Sequence, residues 1–234
     1  MRAFFRFRKK ETLPADKDIP ATDAQYTVID TELTGLNEKK DAIVSIGAVK
    51  MTGMKIEIGR TFHQLIKPRA SLKPESVVIH GITPSDVRER PESATVLSGF
   101  LEFCAHDILI GHCVSIDLSF LNREMKKTVG FSLPNPTLDT FSLYAWLRKY
   151  GPSHDCLALR PQSCALYEIS KCFGIPVKGA HDALMDSFIT AQLFQRFLPI
   201  LAEAGITNTG TLLEIGTPYH GGDEFKIANN ITNF

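Results

Sequence analysis

Tyr26-Thr27-Val28-Ile29-Asp30-Thr31-Glu32-Leu33-Thr34-Gly35 decides how the chain folds. A β-branched and aromatic run reads as a strand, and Gly35 breaks it. Side chains of a strand alternate faces with period two, so Asp30 and Glu32 point to the same side. Two anions side by side at the end of a core strand repel each other and lose hydration. They are stable there if one is protonated or if a cation sits between them. Hard divalent ions such as Mg²⁺ accept carboxylate oxygens and keep positions open for water and phosphate. The alternative is a strand end emerging into water with both acids solvated.

Working outward, Ala42 to Lys50 reads as a second strand, and Lys55 to about Ile66 as a third, giving a β-meander. Glu75 to His80 reads as one helical turn. Pro91 to Phe103 has helical apolar spacing at Val96, Leu97, Phe100 and Leu101. Asp107 to His112 is a short apolar strand, and Ser115 is the expected cap of a helix carrying Ile116, Phe120, Leu121 and Met125. A short strand near Pro134 to Asp139 precedes a helix through Phe141 and Leu147. Gly151 to Arg160 reads as loop, Cys164 to Phe173 as a short helix. A long helix starts near Asp182, and Pro199 is expected to kink or end it. Three meandering strands followed by helices alternating with single strands imply an α/β domain: a mixed sheet flanked by helices. Residues 1–22 form a basic, phenylalanine-bearing arm, 23–204 the folded domain, and 205–234 a tail expected to be loosely ordered, with an apolar island at Leu212-Leu213-Glu214-Ile215.

The 234 residues carry 26 Lys plus Arg against 26 Asp plus Glu, so the whole molecule attracts neither polyanions nor anionic membranes strongly. That argues against a general duplex-coating protein but not against an enzyme gripping nucleic acid through metal ions and local contacts. Five cysteines without a CxxC pair suggest neither a disulfide framework nor a zinc site. Buried thiols in a reducing compartment fit better. No apolar run is long enough to span a bilayer, and the start lacks the uninterrupted apolar core of a signal peptide. The chain reads as cytoplasmic, with no membrane partner.

Two further aspartates join the first pair. Asp117 falls in the first turn of the helix after Ser115, and Asp186 shortly after the proposed cap Asp182. A helix N-terminus favours a carboxylate, and each aspartate alone has that ordinary reading. Asp117, however, follows an apolar strand. If that strand runs parallel to the first, Asp117 shares an edge with Asp30 and Glu32, and open α/β sheets bind ligands at that edge. His181 follows Gly179-Ala180, which places it in a loop ahead of the helix that bears Asp186. An imidazole beside a metal-bound carboxylate can take a proton from water near neutral pH, whereas a loop histidine on its own is merely solvated.

Asp30-Thr31-Glu32-Leu33-Thr34-Gly35, then Gly111 to Leu121 with Asp117, then His181 with Asp186 resemble the three motifs of the DEDDh exonucleases. This DnaQ-like family includes the proofreading epsilon subunit of DNA polymerase III and RNase T. Val78-Ile79-His80-Gly81-Ile82-Thr83 is similar to the segment between its first two motifs, and the resemblance runs from about Tyr26 to Leu198. It implies a ribonuclease H-like fold with a five-stranded mixed sheet. It implies two Mg²⁺ or Mn²⁺ ions held by Asp30, Glu32, Asp117 and Asp186, with His181 as general base. It also implies 3′→5′ release of nucleoside 5′-monophosphates from single-stranded or frayed ends, DNA favoured, in proofreading or repair, with a polymerase subunit as a partner. An exoribonuclease and a weakly catalytic binding subunit are the alternatives. Leu33, Thr34 and His80 would meet the terminal nucleotide, with His80 otherwise capping the adjacent helix. The chain departs from the family at Leu33 (usually Thr), Cys113 (Asn), Ile116 (Phe) and Ser187 (Ala), none of them a metal ligand.

Overall fold

The computed structural model describes residues 16–218 other than 160, 162, 164 and 180, and β1 (Gln25–Leu33) is its central strand. β1 is central because both of its faces are apolar. Tyr26 and Val28 enter one core while Ile29 and Leu33 enter the other. β2 (Ile43–Thr52) pairs antiparallel with β1, and β3 (Lys55–Leu65) pairs antiparallel with β2. On the other side β4 (Ile108–Gly111) runs parallel to β1, and β5 (Thr137–Asp139) runs parallel to β4. The order β3-β2-β1-β4-β5 is the expected five-stranded mixed sheet. α1 (Pro74–His80), α2 (Pro84–Val87) and α3 (Ser93–Cys104) connect β3 to β4, and α4 (Ser115–Thr128) connects β4 to β5. After β5 come α5 (Thr140–Tyr150), α6 (Asp155–Ala158), α7 (Leu166–Cys172), α8 (Ala183–Glu203) and α9 (Thr209–Ile215).

α3 and α4 supply Leu97, Phe100, Phe120 and Leu121 to one face of the sheet. α5, α7, α8 and α9 supply Leu143, Ile169, Phe194 and Leu212 to the other. Tyr26 is fully buried there, its ring edge-on to Phe194 at 5.0 Å and its hydroxyl donating to the Ala21 carbonyl at 2.8 Å. No helix among the described residues is long and apolar enough to cross a membrane.

Four local expectations are corrected. Ser115 is not the cap of α4. Val114 holds that position, and no side chain caps it. The turn is set instead by Cys113, which sits at φ 52° and donates its N–H to Asp139 Oδ1 at 2.9 Å. The loop after Gly151 contains α6, four residues long and too short to show a helical period. Of the two effects expected of Pro199, ending α8 is the one that does not occur, and the helix continues to Glu203. A proline inside a helix costs about 3 kcal/mol. Burying Phe194, Phe197, Leu198 and Leu201 at about 1.5–3 kcal/mol each outweighs that.

The fourth correction concerns the chain beyond Gly205, which is not loose through residue 218. Asn208 caps α9 by accepting from the Thr211 N–H, and Leu212 is fully buried. Thr207 to Gly210 pairs with Lys17 to Ala21 through three backbone hydrogen bonds of 2.8–2.9 Å and a bridge between Pro20 and Asn208. Residues 1–15 of the arm and 219–234 of the tail lie outside the described residues.

Candidate active site

Asp30 and Glu32 occupy the end of β1 on the face covered by α8, and the intervening Thr31 faces α4. That alternation brings three elements together. Gly47 of β2 lies opposite Asp30 in register, and a Cβ on it would fall 2.1 Å from the Ala183 backbone. Only glycine lets the first turn of α8 lie this close to the sheet. Asp182 caps that turn, accepting from the Met185 N–H at 3.0 Å, and Asp186 projects from it. One carboxylate oxygen from each of Asp30, Glu32 and Asp186 then lies within 4.8 Å of the others. From the opposite face Thr31 donates its hydroxyl to Asp117 Oδ1 at 2.6 Å, and Asp117 lines the same cleft.

The cleft has a volume of about 520 Å³. Its floor carries Asp30, Glu32, Asp117 and Asp186, while no lysine or arginine is among its described lining residues. Burial and mutual repulsion therefore favour protonated acids. Burial first, then Asp117, Asp186 and Glu32, holds Asp30 well above the ordinary carboxylate range. Burial, followed by Asp186 and Asp117, pushes Glu32 up to about 8. Burial raises Asp117 to about 7 against the opposing Thr31 hydrogen bond. Burial raises Asp186 to about 6 against the Tyr167 and His181 donors.

His181 sits at the cleft rim, where partial burial holds its imidazole below the ordinary value. Its backbone has φ 64°, and its N–H donates to Asp186 Oδ2 at 3.1 Å and to the Tyr167 hydroxyl at 2.8 Å. Tyr167 donates that hydroxyl to Asp186 Oδ2 at 2.6 Å, and its ring stands edge-on to His181 at 5.1 Å. Tyr167 was missed by the sequence reading. No local pattern marks it, because its partners depend on where α7 lies against α8.

Of the residues expected at the substrate, Leu33 and His80 line the cleft. His80 Nδ1 accepts from the Ile82 N–H at 3.0 Å, bracing the turn after α1. Its Nε2 is buried and faces the Leu33 carbonyl at a geometry short of a full hydrogen bond. Thr34 is placed elsewhere. It is fully buried, its N–H donates to the Ala42 carbonyl and its own carbonyl accepts from Ser76 Oγ. Its backbone is committed to the turn, so it presents no donor to the cleft. Val78 and Ile79 add an apolar wall, and Val78 is 84% exposed.

The donor set fits a divalent cation of the hard, oxygen-seeking kind. Asp186 spends Oδ2 on Tyr167 and His181, while its Oδ1 is buried with no hydrogen-bond partner. A buried acceptor left unsatisfied costs about 1–3 kcal/mol, which an ion held between the three carboxylates would remove.

The RNase T family model, described as Exonuclease, matches residues 27–194, from β1 into α8. The chain belongs to this exonuclease family. As a DnaQ-like exonuclease it is similar to a PolC-type DNA polymerase III of Thermotoga maritima, 34% identical over 185 residues, 79% of this chain but 13% of that one. It is also similar to the DNA polymerase III epsilon subunit of Aquifex aeolicus, 31% identical over 180 residues, 75% of this chain and 81% of that one. Among solved structures, E. coli Exonuclease I in complex with a dT13 oligonucleotide superposes with a TM-score of 0.64 at 20% identity, covering 77% of this chain and 42% of that one. At that identity the likeness speaks for the fold, and it is the exonuclease fold.

Proposed function

We propose that this chain is a divalent-metal-dependent 3′→5′ exonuclease that removes nucleoside 5′-monophosphates one at a time from single-stranded or frayed ends, DNA before RNA. One observation carries the reading: three carboxylates converge within 4.8 Å of one another in a cleft whose described lining has no lysine or arginine. A phosphodiester cannot enter such a cleft unless cations come with it. Asp30, Glu32 and Asp186, with Asp117 beside them, would hold two Mg²⁺ or Mn²⁺ ions. Such ions supply charge neutralisation at the phosphate, acidification of water and stabilisation of the departing 3′ oxygen.

The chain's own groups do the rest. The His181 imidazole, held below its ordinary pKa, is neutral at pH 7 and accepts the proton of the attacking water. Tyr167 fixes Asp186 Oδ2 and the His181 backbone together, so the acid and the base keep one relative placement. Thr31 orients Asp117 by its hydroxyl. Leu33, Val78 and Ile79 offer apolar surface to the terminal base. The preference for DNA and a place beside a polymerase follow the names of the relatives at 31–34% identity, both DNA polymerase III chains. A weakly catalytic binding subunit fits less well, because all four acids and the histidine are retained.

An oligonucleotide labelled at its 3′ terminus tests the polarity: the label leaves first as mononucleotide in Mg²⁺ or Mn²⁺ and stays in place in EDTA. Release of a 5′ label as mononucleotide at the outset overturns it. Matched DNA and RNA strands run side by side rank the substrates. Asp30→Asn abolishes release, and His181→Ala slows it by about two orders of magnitude or more, the scale of a lost general base.

A further inference from the structure

A second pocket is the chemical opposite of the cleft. It has a volume of about 180 Å³ and six basic side chains on its walls: Lys39, Lys40, Lys67, Arg69, Arg123 and Lys127. Two acids accompany them, and both are already engaged. Asp41 accepts from Lys73 Nζ at 2.7 Å and from the Asn37 N–H at 2.8 Å. Glu124 pairs with Arg123 at 3.1 Å and with Lys127 at 2.9 Å. Arg69 reaches Glu92 across an exposed 3.5 Å contact. Lys39, Lys40 and Lys67 have no acidic partner among the described residues. In a chain with no net charge, this concentrates positive charge at one place.

The pocket is positioned relative to the cleft by the sheet. β1 leaves the sheet at Leu33, β2 enters at Ile43 and β3 leaves at Leu65, so cleft and pocket open at the same edge. α4 spans the two. Its first turn gives Ile116 and Asp117 to the cleft, and its later turns give Arg123 and Lys127 to the pocket. At 1.5 Å per helical residue the separation is roughly 9–15 Å. A stacked strand carries a phosphate about every 3.4 Å, so that distance spans roughly three to four nucleotides. Arg123 Nη2 donates to the Asp41 carbonyl at 2.8 Å, tying the connection between β1 and β2 to α4 and fixing the pocket's walls.

We propose that this basic pocket holds backbone phosphates of the nucleic acid whose 3′ end occupies the cleft, roughly three to four nucleotides from the scissile bond. The proposal rests on the exonuclease reading of the cleft. It divides the labour: the acidic cleft performs the chemistry once cations fill it, and the pocket grips the strand without them. Both sources of phosphate, the strand being shortened and the complementary strand of a partly duplex end, present the same chemistry.

The test uses the full chain and the variant Lys39→Gln/Lys40→Gln/Lys67→Gln, which removes the three unpaired charges and leaves the ion-paired ones. Binding of a fluorescent 20-nucleotide strand is followed by anisotropy in EDTA over a salt series. The expected result is at least a five-fold loss of affinity and a fall in the salt slope of about 1–2, at about 0.7 per single-strand phosphate contact. In Mg²⁺ the KM for the 20-mer rises while kcat is unchanged, and hydrolysis of a dinucleotide is unaltered. A salt slope unchanged on both the single strand and a 3′-recessed duplex, or an equal loss on the dinucleotide, overturns the proposal. Parallel arms with single-stranded and 3′-recessed duplex DNA assign the source: loss in both points to the trimmed strand, loss confined to the duplex to its complement. If no end releases mononucleotide while the salt slope still falls in the variant, the reading of the cleft fails and the phosphate site stands.

Discussion

Tyr167 shows how much of a site can depend on one hydroxyl outside the acidic set. Its donation to Asp186 Oδ2 leaves Oδ1 as the buried oxygen without a hydrogen-bond partner, and the His181 N–H closes the triangle. Hydrogen-bond partners that orient a metal ligand are typically worth 10–100-fold in metal affinity or activity. Tyr167→Phe therefore weakens Mn²⁺ binding about ten-fold or more in a calorimetric titration and lowers kcat by a similar factor, with an unchanged melting profile in EDTA. Equal Mn²⁺ affinity in the variant would show that Tyr167 only packs. Strand alternation puts Asp30 and Glu32 on one face by a local rule, whereas Asp117 and Asp186 join them through the resemblance to the family's motifs, since a first-turn aspartate alone has an ordinary reading. Tyr167 was not legible in the sequence, since it reaches Asp186 and His181 across the packing of two helices. Thr34 misled for a related reason. The resemblance puts it at the terminal nucleotide, but the pairing of the turn with Ala42 consumes its N–H.

At the scale of elements, the close crossing of α8 over β2 at Gly47 sets the geometry of the site. Carbon atoms pack at about 3.5–4.0 Å, so a Cβ placed 2.1 Å from the Ala183 backbone forces the first turn of α8 outward by more than an ångström. Asp182 and Asp186 ride on that turn. Gly47→Ala is expected to destabilise the fold by about 1–3 kcal/mol and to lower kcat by about 10²-fold, the cost of a 1 Å misplacement. Thermal unfolding and single-turnover release measured on the same preparation check both numbers. Long elements with a clear period were readable: the meander, α3, α4, α5 and α8 lie where apolar spacing puts them. Elements without a period were not, and α6 with four residues is the plain case. α9 has only seven residues of weak amphipathic pattern, and it acquires its order from Leu212 entering the core. Pro199 within α8 is the reverse case, a strong local signal overruled by packing.

The whole molecule carries the electrostatic tension of its cleft. Asp30, Glu32, Asp117 and Asp186 all have folded-state pKa values raised above their unfolded ones. Their contribution to stability is fully present below the unfolded carboxylate values and is lost as pH rises through about 6, 7 and 8. Asp41 runs the other way. Burial acts to raise it, but the Lys73 ammonium and the Asn37 N–H hold it low, so its contribution is lost as pH falls into the acid range. The melting temperature in EDTA is therefore expected to decline between about pH 5 and 8, with Mg²⁺ cancelling the decline by binding the folded state. A metal-free melting curve flat across that window would contradict the account. A different consequence comes from the pairing of Lys17 to Ala21 with Thr207 to Gly210. The segment ahead of β1 and the segment joining α8 to α9 are thus buckled to each other, so loosening either one also frees its neighbour.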